Sequence, residues 1–309
     1  MSRLGVITNP TSGSGRGARL GAETLAALSA NGHQVVNLSH GSWVASYEAA
    51  MRQRRKLDAL VVVGGDGMVH LGIQVCAERK LPLGIVAAGS GNDLAKTLQL
   101  PEHDIPASIE RIEAGLAGDV VQVDVGKVTG RLLEQPGNPR YFSAVLSAGI
   151  DAAVAAYGSN LKYPRGPLKY KVATARELPR YKPYGVRLTV DGKTWDKVVT
   201  LVAVANSPVF GGGLRISPDS SVTDGELELV VTEPLKRRNI VRLFPKLMEG
   251  THLSDPRIQV IKAKTVGIEQ GPSGARLPAA FADGELVGAE PFTVSVVKGG
   301  LRVLGGKAK

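Results

Sequence analysis

The first 125 residues or so alternate between short apolar runs typical of strands and segments with helical spacing. Strand-type runs occur at 4–8, 34–38, 60–63, 83–87 and 120–128, and helix-type segments at about 18–30, 43–55, 68–75 and 105–114. Continuous apolar runs of this kind suit strands that are covered by helices on both faces. The alternation therefore predicts a parallel α/β core.

The pattern changes near residue 125 to short alternating runs that are separated by turn residues. Such runs occur at 187–190, 198–205, 226–231 and 293–297. This spacing is typical of a β-rich sandwich or barrel. We therefore expect an α/β nucleotide-binding domain over 1–125 and an all-β domain over 126–297, with a tail at about 298–309 that packs back on the first domain.

The chain's charge points to an anionic partner. Its 309 residues carry a formal net charge of +10, with a pI near 9.7, which favours a nucleotide, a nucleic acid or an acidic lipid surface. An aromatic content of 5% argues against base-stacking platforms, so we expect no nucleic-acid partner. No apolar run is long enough for a signal peptide or a spanning helix, and the single Cys76 fits a reducing compartment. These features predict a cytoplasmic protein whose contact with a membrane is peripheral.

Three loops rich in small residues follow predicted strands. They cover 9–17, 64–68 and 89–95, and the glycines allow close approach of the backbone to a phosphate. Open α/β sheets bind ligands at the carboxyl ends of their strands, so two such loops on neighbouring strands indicate a ligand site. The alternatives are a tight strand-to-helix turn capped by Asp66 and a helix capped by Asn92 and Asp93.

Two other patterns carry no site. The Gly-Lys-Thr within 191–194 lacks the first glycine of a phosphate loop, because residue 187 is Arg, and it is better interpreted as a hairpin turn. The five histidines show no metal-ligand spacing.

Two basic segments are candidates for contact with a lipid surface. In 162–184, lysines and arginines are interleaved with four tyrosines, which suits either an anionic membrane surface or a solvated face. In 235–248, helical spacing places four apolar residues on one face, which either packs as core or borders an apolar opening. These four residues are Ile240, Leu243, Phe244 and Leu247.

Two Asp-Gly-Glu triplets, at 224–226 and 283–285, complete the candidate chemistry. The first ends a turn rich in oxygen ligands that suits a hard divalent ion. The second places two carboxylates, Asp283 and Glu285, two positions apart. Hairpin turns with solvated acids are the alternative for both triplets.

Taken together, these motifs resemble the diacylglycerol kinase catalytic-domain family, and in particular the bacterial lipid kinases related to sphingosine kinases. The matching segments follow one another through nearly the whole chain: Asn9-Pro10 with Ser12-Gly13, Gly64-Gly65-Asp66-Gly67, Gly89 to Ala95, Asp124, the turn from Pro218 to Gly225, and Asp283-Gly284-Glu285. Each motif alone is weak, whereas their order and spacing are specific.

The resemblance implies an N-terminal NAD kinase/phosphofructokinase-like α/β domain and a C-terminal β-sandwich domain, with ATP and Mg²⁺ at the cleft. The nucleotide-binding positions implied are Asn9, Ser39, Gly64, Gly65, Asp66, Gly67, Met68, Ser90, Asn92 and Asp93. Asp66, Asp93 and Asp124 match positions that organise the catalytic Mg²⁺, partly through water. Ser221, Asp224 and Glu226 match a structural Mg²⁺ site, and Asp283 matches the general base, with Glu285 as its neighbour.

Met68 departs from the family pattern, which usually has Thr after Gly-Gly-Asp-Gly. The change puts a hydroxyl contribution to phosphate or Mg²⁺ binding in question, while backbone donors survive it.

The function expected is ATP- and Mg²⁺-dependent phosphorylation of a lipid hydroxyl, with diacylglycerol as the lead substrate and an anionic membrane surface as partner. A homodimer is left open. One alternative is a kinase of a soluble substrate such as NAD, although the chain has no Asn-Glu dipeptide typical of NAD kinases. The other is a non-catalytic lipid- or nucleotide-binding protein.

Overall fold

A computed structural model describes residues 1–9, 16–130, 140–161, 163 and 168–308, with the backbone alone at Arg16. Two compact units make up the chain. The first unit consists of Met1–Val125, Val222–Gly225 and Val297–Lys309, and the second of Gly126–Ser221 and Glu226–Val296. The inclusion of Val222–Gly225 in the first unit is a feature that the pattern along the chain does not indicate.

The first unit is a parallel α/β sheet. Its elements are β1 (Arg3–Thr8), α1 (Arg16–Ala30), β2 (Gln34–Asn37), α2 (Trp43–Gln53), β3 (Ala59–Gly64), α3 (Asp66–Cys76), β4 (Leu83–Ala87), α4 (Asp93–Thr97), α5 (Ile105–Leu116) and β5 (Val120–Gly130), which continues into the second unit. The strand order is β2-β1-β3-β4, with parallel pairing throughout. The predicted parallel α/β core is confirmed.

Local sequence explains how these elements begin and why the sheet is buried. Ser42 caps α2 by accepting a hydrogen bond from the Ala45 N–H, and Asp104 caps α5 by accepting one from the Ala107 N–H. Every residue of β3 is buried, as expected for a strand with helices on both faces. The apolar side chains of this core come from β1, β3, β4, α1 and α5, with Leu304 from the final strand.

The second unit is an antiparallel β structure with three α-helices among its described residues. Its further elements are β6 (Arg140–Phe142), β7 (Val145–Gly149), α6 (Ile150–Asn160), α7 (Leu168–Glu177), β8 (Tyr184–Val190), β9 (Lys193–Val199), β10 (Leu201–Ala205), β11 (Leu227–Thr232), α8 (Arg237–Glu249), β12 (Ile258–Ala263), β13 (Thr265–Gln270), β14 (Ala280–Ala282), β15 (Glu285–Gly288) and β16 (Phe292–Leu304), whose second half belongs to the first unit.

Two sheets enclose the core of the second unit. One has the strand order β12-β11-β10-β7-β14-β15. In the other, β8 pairs with both β9 and β13, and β13 pairs with the first half of β16. A single cluster of buried side chains draws Leu146 and Leu229 from the first sheet and Val186 and Ile268 from the second. Side chains that meet between two sheets define a sandwich, so the predicted C-terminal β-sandwich is confirmed.

The apolar run 198–205 was expected as one strand, but it forms the end of β9 and all of β10, which lie in different sheets. Thr200 separates them. Its hydroxyl bonds to the Glu233 carbonyl, the Leu235 N–H and the Tyr181 hydroxyl, at 2.7–2.8 Å. These partners satisfy a buried polar group at the strand break, and none of them is visible in the local apolar pattern.

The predicted hairpin at 191–194 is confirmed. Asp191 and Gly192 link β8 to β9 with φ values of 47° and 85°, and Val190 pairs with Lys193 across the turn. Positive φ at both central residues matches the right-handed twist of a hairpin. The last predicted strand, 293–297, is part of the longer β16. Within the described parts of the chain, no helix is long and apolar enough to cross a membrane.

Candidate active site

The candidate site of the first unit lies where its parallel strands end. β1 ends at Thr8, and the loop after β2 brings Ser39 beside it. The Thr8 N–H donates a hydrogen bond of 3.0 Å to the Ser39 hydroxyl, and the two hydroxyls are 3.2 Å apart. The structure therefore places Ser39 next to Thr8, the residue before Asn9. Ser39 and Asn9 are both predicted nucleotide contacts. The adjoining loop residues 10–15, which include the predicted Pro10, Ser12 and Gly13, lie outside the described residues.

The loops after β3 and β4 cross at their glycines. A Cβ added to Gly89 would lie 2.3 Å from the Cα of Gly65, and one added to Gly65 would lie 2.9 Å from the Cα of Gly89. Only glycine permits two backbones to approach so closely. The crossing leaves main-chain groups of both loops at the carboxyl edge of the sheet, where α/β folds bind phosphates.

Asp66 joins the two loops. Its carboxylate accepts hydrogen bonds from the Asn92 N–H at 3.0 Å and from the Asp93 N–H at 2.8 Å. Asp66 therefore satisfies the first backbone donors of α4, a helix that begins 27 residues further along the chain. The two capping alternatives named for these loops are therefore wrong as stated. Asp66 caps α4 and not the helix that follows its own turn, and the Asn92 side chain makes no capping bond to α4.

The Asn92 side chain braces its own loop instead. Its Oδ1 accepts a hydrogen bond from the Gly89 N–H, and its Nδ2 donates to the Gly89 carbonyl and to Glu102. Asn92 adopts a left-handed conformation, with φ 58°, which Asn tolerates better than most residues. These hydrogen bonds hold the loop in place before any ligand binds. Ser90, a predicted nucleotide contact in the same loop, is exposed.

Met68 packs over the glycine that begins its own loop. Its side chain is 8% exposed, and its Cγ lies 2.7 Å from the position that a Cβ at Gly64 would occupy. Gly64 has a φ of 153°, so both its conformation and the space above it require glycine. The residue that departs from the family pattern therefore serves as packing within the loop.

Asp124 connects three segments of the first unit. One oxygen accepts a hydrogen bond from the Gly225 N–H and the other from the Gly299 N–H, each at 2.6 Å. The side chain is 1% exposed. These short bonds to an ionised group tie the turn 222–225 and the final strand to β5.

The predicted Mg²⁺ ligands have suitable chemistry but form no cluster. Asp66 and Asp124 carry carboxylate oxygens of the type that Mg²⁺ prefers, and each carboxylate accepts hydrogen bonds from two backbone N–H groups. Among the residues that the structure describes, no group of three or more His, Cys, Asp or Glu side chains could hold a metal. At the other predicted site, Asp224 is exposed and the Glu226 carboxylate accepts a bond of 2.7 Å from Lys262.

Asp283 lies in the second unit, at a hairpin between β14 and β15. Asp283 and Gly284 have φ values of 51° and 82°, so the hairpin alternative is correct for this triplet. The carboxylate is nevertheless not simply solvated. It accepts hydrogen bonds from the N–H groups of Ser143 and Ala144, at 2.8 and 2.9 Å.

Asn206 supports this arrangement and was not predicted. It is fully buried, and its Nδ2 donates a hydrogen bond of 2.8 Å to the carbonyl of Ser143, whose N–H holds Asp283. The polar pair Asn206-Ser207 at the end of the apolar run 198–205 is the signal that could have found it. Glu285, the predicted neighbour of Asp283, is exposed.

The tyrosines of the basic segment 162–184 divide into two groups. Tyr163 and Tyr170 are 73% and 44% exposed, whereas Tyr181 and Tyr184 are buried in the sandwich core. Burial raises the pKa of Tyr184 to about 12. Of these four tyrosines, only Tyr163 and Tyr170 are therefore available to contact a membrane surface. Lys162 and Arg165 lie outside the described residues.

Comparison with known proteins agrees with both halves of the chain. Residues 3–128 match the diacylglycerol kinase catalytic domain, and residues 144–305 match the YegS C-terminal NAD kinase beta sandwich-like domain. A diacylglycerol kinase of Mycobacterium tuberculosis is 31% identical over 308 residues, which cover 98% of this chain and 95% of that relative. The chain belongs to the diacylglycerol kinase family. The family resemblance seen in the motifs is thereby confirmed, and so is the prediction that the chain is a kinase.

Solved structures show the same fold at lower identity. A candidate diacylglycerol kinase from Bacillus anthracis superposes with a TM-score of 0.76 at 22% identity, covering 98% of this chain and 96% of that one. An NAD kinase from Archaeoglobus fulgidus, solved in complex with ATP, gives a TM-score of 0.52 at 14% identity, covering 98% and 93%. This chain therefore has an NAD kinase-like fold.

Proposed function

We propose that this chain is an ATP- and Mg²⁺-dependent lipid kinase that transfers the γ-phosphoryl group of ATP to the hydroxyl of diacylglycerol, giving phosphatidic acid. The observation that carries the proposal is the glycine crossing between the loops after β3 and β4, closed by Asp66. It supplies main-chain donors at the ligand-binding edge of an α/β sheet, in a chain of the diacylglycerol kinase family.

Nucleotide binding is assigned to the first unit. Backbone groups of Gly64 to Gly67 and the Ser90 region would contact the phosphates, with Asn9 and Ser39 at the neighbouring strand ends. The fold of the Archaeoglobus fulgidus NAD kinase that was solved with ATP supports this assignment, because it is similar to that of this chain. Met68 contributes packing, so phosphate binding at this loop falls to backbone donors.

Mg²⁺ would be held by Asp66, Asp93 and Asp124, partly through water, and a structural Mg²⁺ by Asp224 with the carbonyls of Ser221 and Glu226. Magnesium sites commonly combine one or two carboxylates with phosphate oxygens and water. When bound, the ion would offset charge on the phosphates during transfer.

Asp283 is proposed as the general base, with Glu285 beside it. Its carboxylate would accept the proton of the lipid hydroxyl while that oxygen attacks the γ-phosphorus and ADP departs. The amides of Ser143 and Ala144, together with the Ser143 hydroxyl, fix the orientation of the carboxylate. A preoriented carboxylate suits a reaction that depends mainly on positioning.

The direct test incubates the purified protein with γ-labelled ATP, Mg²⁺ and micelles of diacylglycerol, monoacylglycerol, ceramide or sphingosine, with NAD as a soluble acceptor. We expect label in phosphatidic acid. Label in NADP would favour the NAD-kinase alternative. ATP binding without transfer to any acceptor would favour the non-catalytic one.

The residue test is Asp283→Asn. We expect turnover to fall by about 100-fold or more, with ATP binding retained, because general-base catalysis contributes about 10²–10⁴-fold. Asp196→Asn is the control, since Asp196 lies on the surface of the same unit in a pair with Arg187. Wild-type turnover in a folded Asp283→Asn variant would remove Asp283 from the role.

We also propose a cytoplasmic location and peripheral contact with an anionic membrane surface. The net charge of +10 supports this contact, because anionic lipid headgroups attract clustered lysines and arginines.

A further inference from the structure

Helix α8 exposes a row of large apolar side chains. Val241, Phe244 and Met248 are 56%, 57% and 48% exposed. Their spacing of three and four residues places them on one face of the helix. This corrects the predicted face of this segment, because Phe244 points away from the residues with which it was grouped.

The helix does not need this row in order to pack on its own unit. Ile240 contacts the sandwich core, and Leu243 and Leu247 contact a second apolar cluster that includes Val230 and Ile258. The two faces are about 100° apart at 100° per residue. The anchored face thus holds the helix in place, and the exposed row remains available for a different contact.

Positive charge accompanies the exposed row. Lys236, Arg237, Arg238, Arg242 and Lys246 lie within or at the start of α8, and all are exposed. The single acid of the helix, Glu249, is at its last position. A helix with an exposed apolar row, flanking cations and almost no acid has the character of an interfacial helix.

We propose that α8 docks the second unit on an anionic lipid bilayer, with Val241, Phe244 and Met248 inserted at the headgroup boundary. At 100° per residue, Arg238, Arg242 and Lys246 form a stripe of their own, about 130° around the helix from the apolar row, where they would meet anionic headgroups. The charge selects this partner over a second copy of the chain, because two such helices would repel each other at net positive charge. The inference rests on the proposed function in one respect, since a bilayer is where a diacylglycerol substrate resides.

The test measures cosedimentation of the full chain with vesicles of phosphatidylcholine alone and with 30 mol% phosphatidylglycerol. We expect the double variant Val241→Ser/Phe244→Ser to bind the anionic vesicles on the order of tenfold more weakly, because it removes most of the inserted apolar area. The Arg238→Gln/Arg242→Gln variant should lose the preference for anionic vesicles, because each cation removed lowers the affinity for them about fivefold. Val44→Ser, at a residue 55% exposed on α2, is the matched control and should bind as wild type.

Vesicle binding unchanged in the Val241→Ser/Phe244→Ser variant would overturn the proposal. So would a fall in self-association of that variant in analytical ultracentrifugation, which would identify the row as a contact between copies. A comparison of two substrates separates docking from catalysis. In variants that lose docking, the ratio of turnover on vesicle-borne diacylglycerol to turnover on dissolved short-chain diacylglycerol should fall. If the proposed function is wrong, the wild-type chain should phosphorylate neither substrate and should still bind vesicles.

Discussion

One methyl group at Gly89 tests whether the crossed glycine loops bind the phosphates of ATP. In Gly89→Ala the new Cβ would lie 2.3 Å from the Cα of Gly65 and 2.9 Å from the Oδ1 of Asn92. Carbon atoms in contact are normally about 3.5–4.0 Å apart, so the two loops must separate by about 1 Å or more. The obstacle at Gly65 is backbone, and no side-chain rotation can relieve it.

The size of the effect follows from this separation. Overpacking of this kind costs about 1–3 kcal/mol, which a chain with buried cores in both units tolerates. A displacement of about 1 Å in a group that positions substrate can lower the rate by about 100-fold. We therefore expect Gly89→Ala to fold and to lose on the order of 100-fold in kcat/KM for ATP.

The assay combines ATP titration by calorimetry with ADP release in the presence of diacylglycerol micelles. Gly41→Ala is the control, because a Cβ at Gly41 would meet nothing within 4 Å. Circular dichroism and urea unfolding show whether each variant keeps its fold. A folded Gly89→Ala variant with the ATP affinity and turnover of the wild type would refute the placement of ATP at the crossed loops.

Three further predictions concern stability. Met68→Thr should lower the free energy of unfolding by about 1–3 kcal/mol, because it deletes a buried side chain over Gly64, while ATP affinity changes little. Asp151→Asn should raise the free energy of unfolding by about 1–3 kcal/mol at pH 7.5. Burial raises the pKa of Asp151, so ionisation of this carboxyl, which is shielded from solvent, destabilises the fold. Burial also lowers the pKa of His252 from 6.5, so the free energy of unfolding should fall as the pH drops below about 6.5, and His252→Asn should flatten this dependence.

Urea unfolding at several pH values, with ATP titration for the Met68 variant, checks all three. The advantage of Asp151→Asn should shrink as the pH falls and vanish only below the ordinary pKa of 3.8, where the carboxyl is protonated in both states, and an advantage independent of pH would contradict the explanation. A His252→Asn variant with the wild-type pH dependence would show that other groups control it. A Met68→Thr variant that loses ATP binding while folded would show that Met68 does more than pack.

The fold class could be predicted from the sequence because burial leaves a local periodic signal. A run such as Leu60 to Val63 records a strand covered on both faces, and the alternating runs at 187–190 and 293–297 record strands with one face in a sandwich. The glycine loops were equally visible, since a loop at a strand end that must approach another backbone needs glycine in its own sequence.

Long-range partners left no such signal. The sequence shows Asp66, but only the tertiary structure brings it to the amides of Asn92 and Asp93. Asp283 is separated by 140 residues from Ser143, whose amide orients it.

By itself, then, the sequence determined the parallel α/β and β-sandwich classes, the glycine-rich loops and the order of the acidic motifs. Tertiary structure decided which backbone groups hold each carboxylate, that Thr200 ends a strand, and that Phe244 faces outward. The physical reason is range: backbone propensity and burial periodicity act over a few residues, whereas hydrogen-bond partners and the exposed side of a helix depend on segments that only folding brings together.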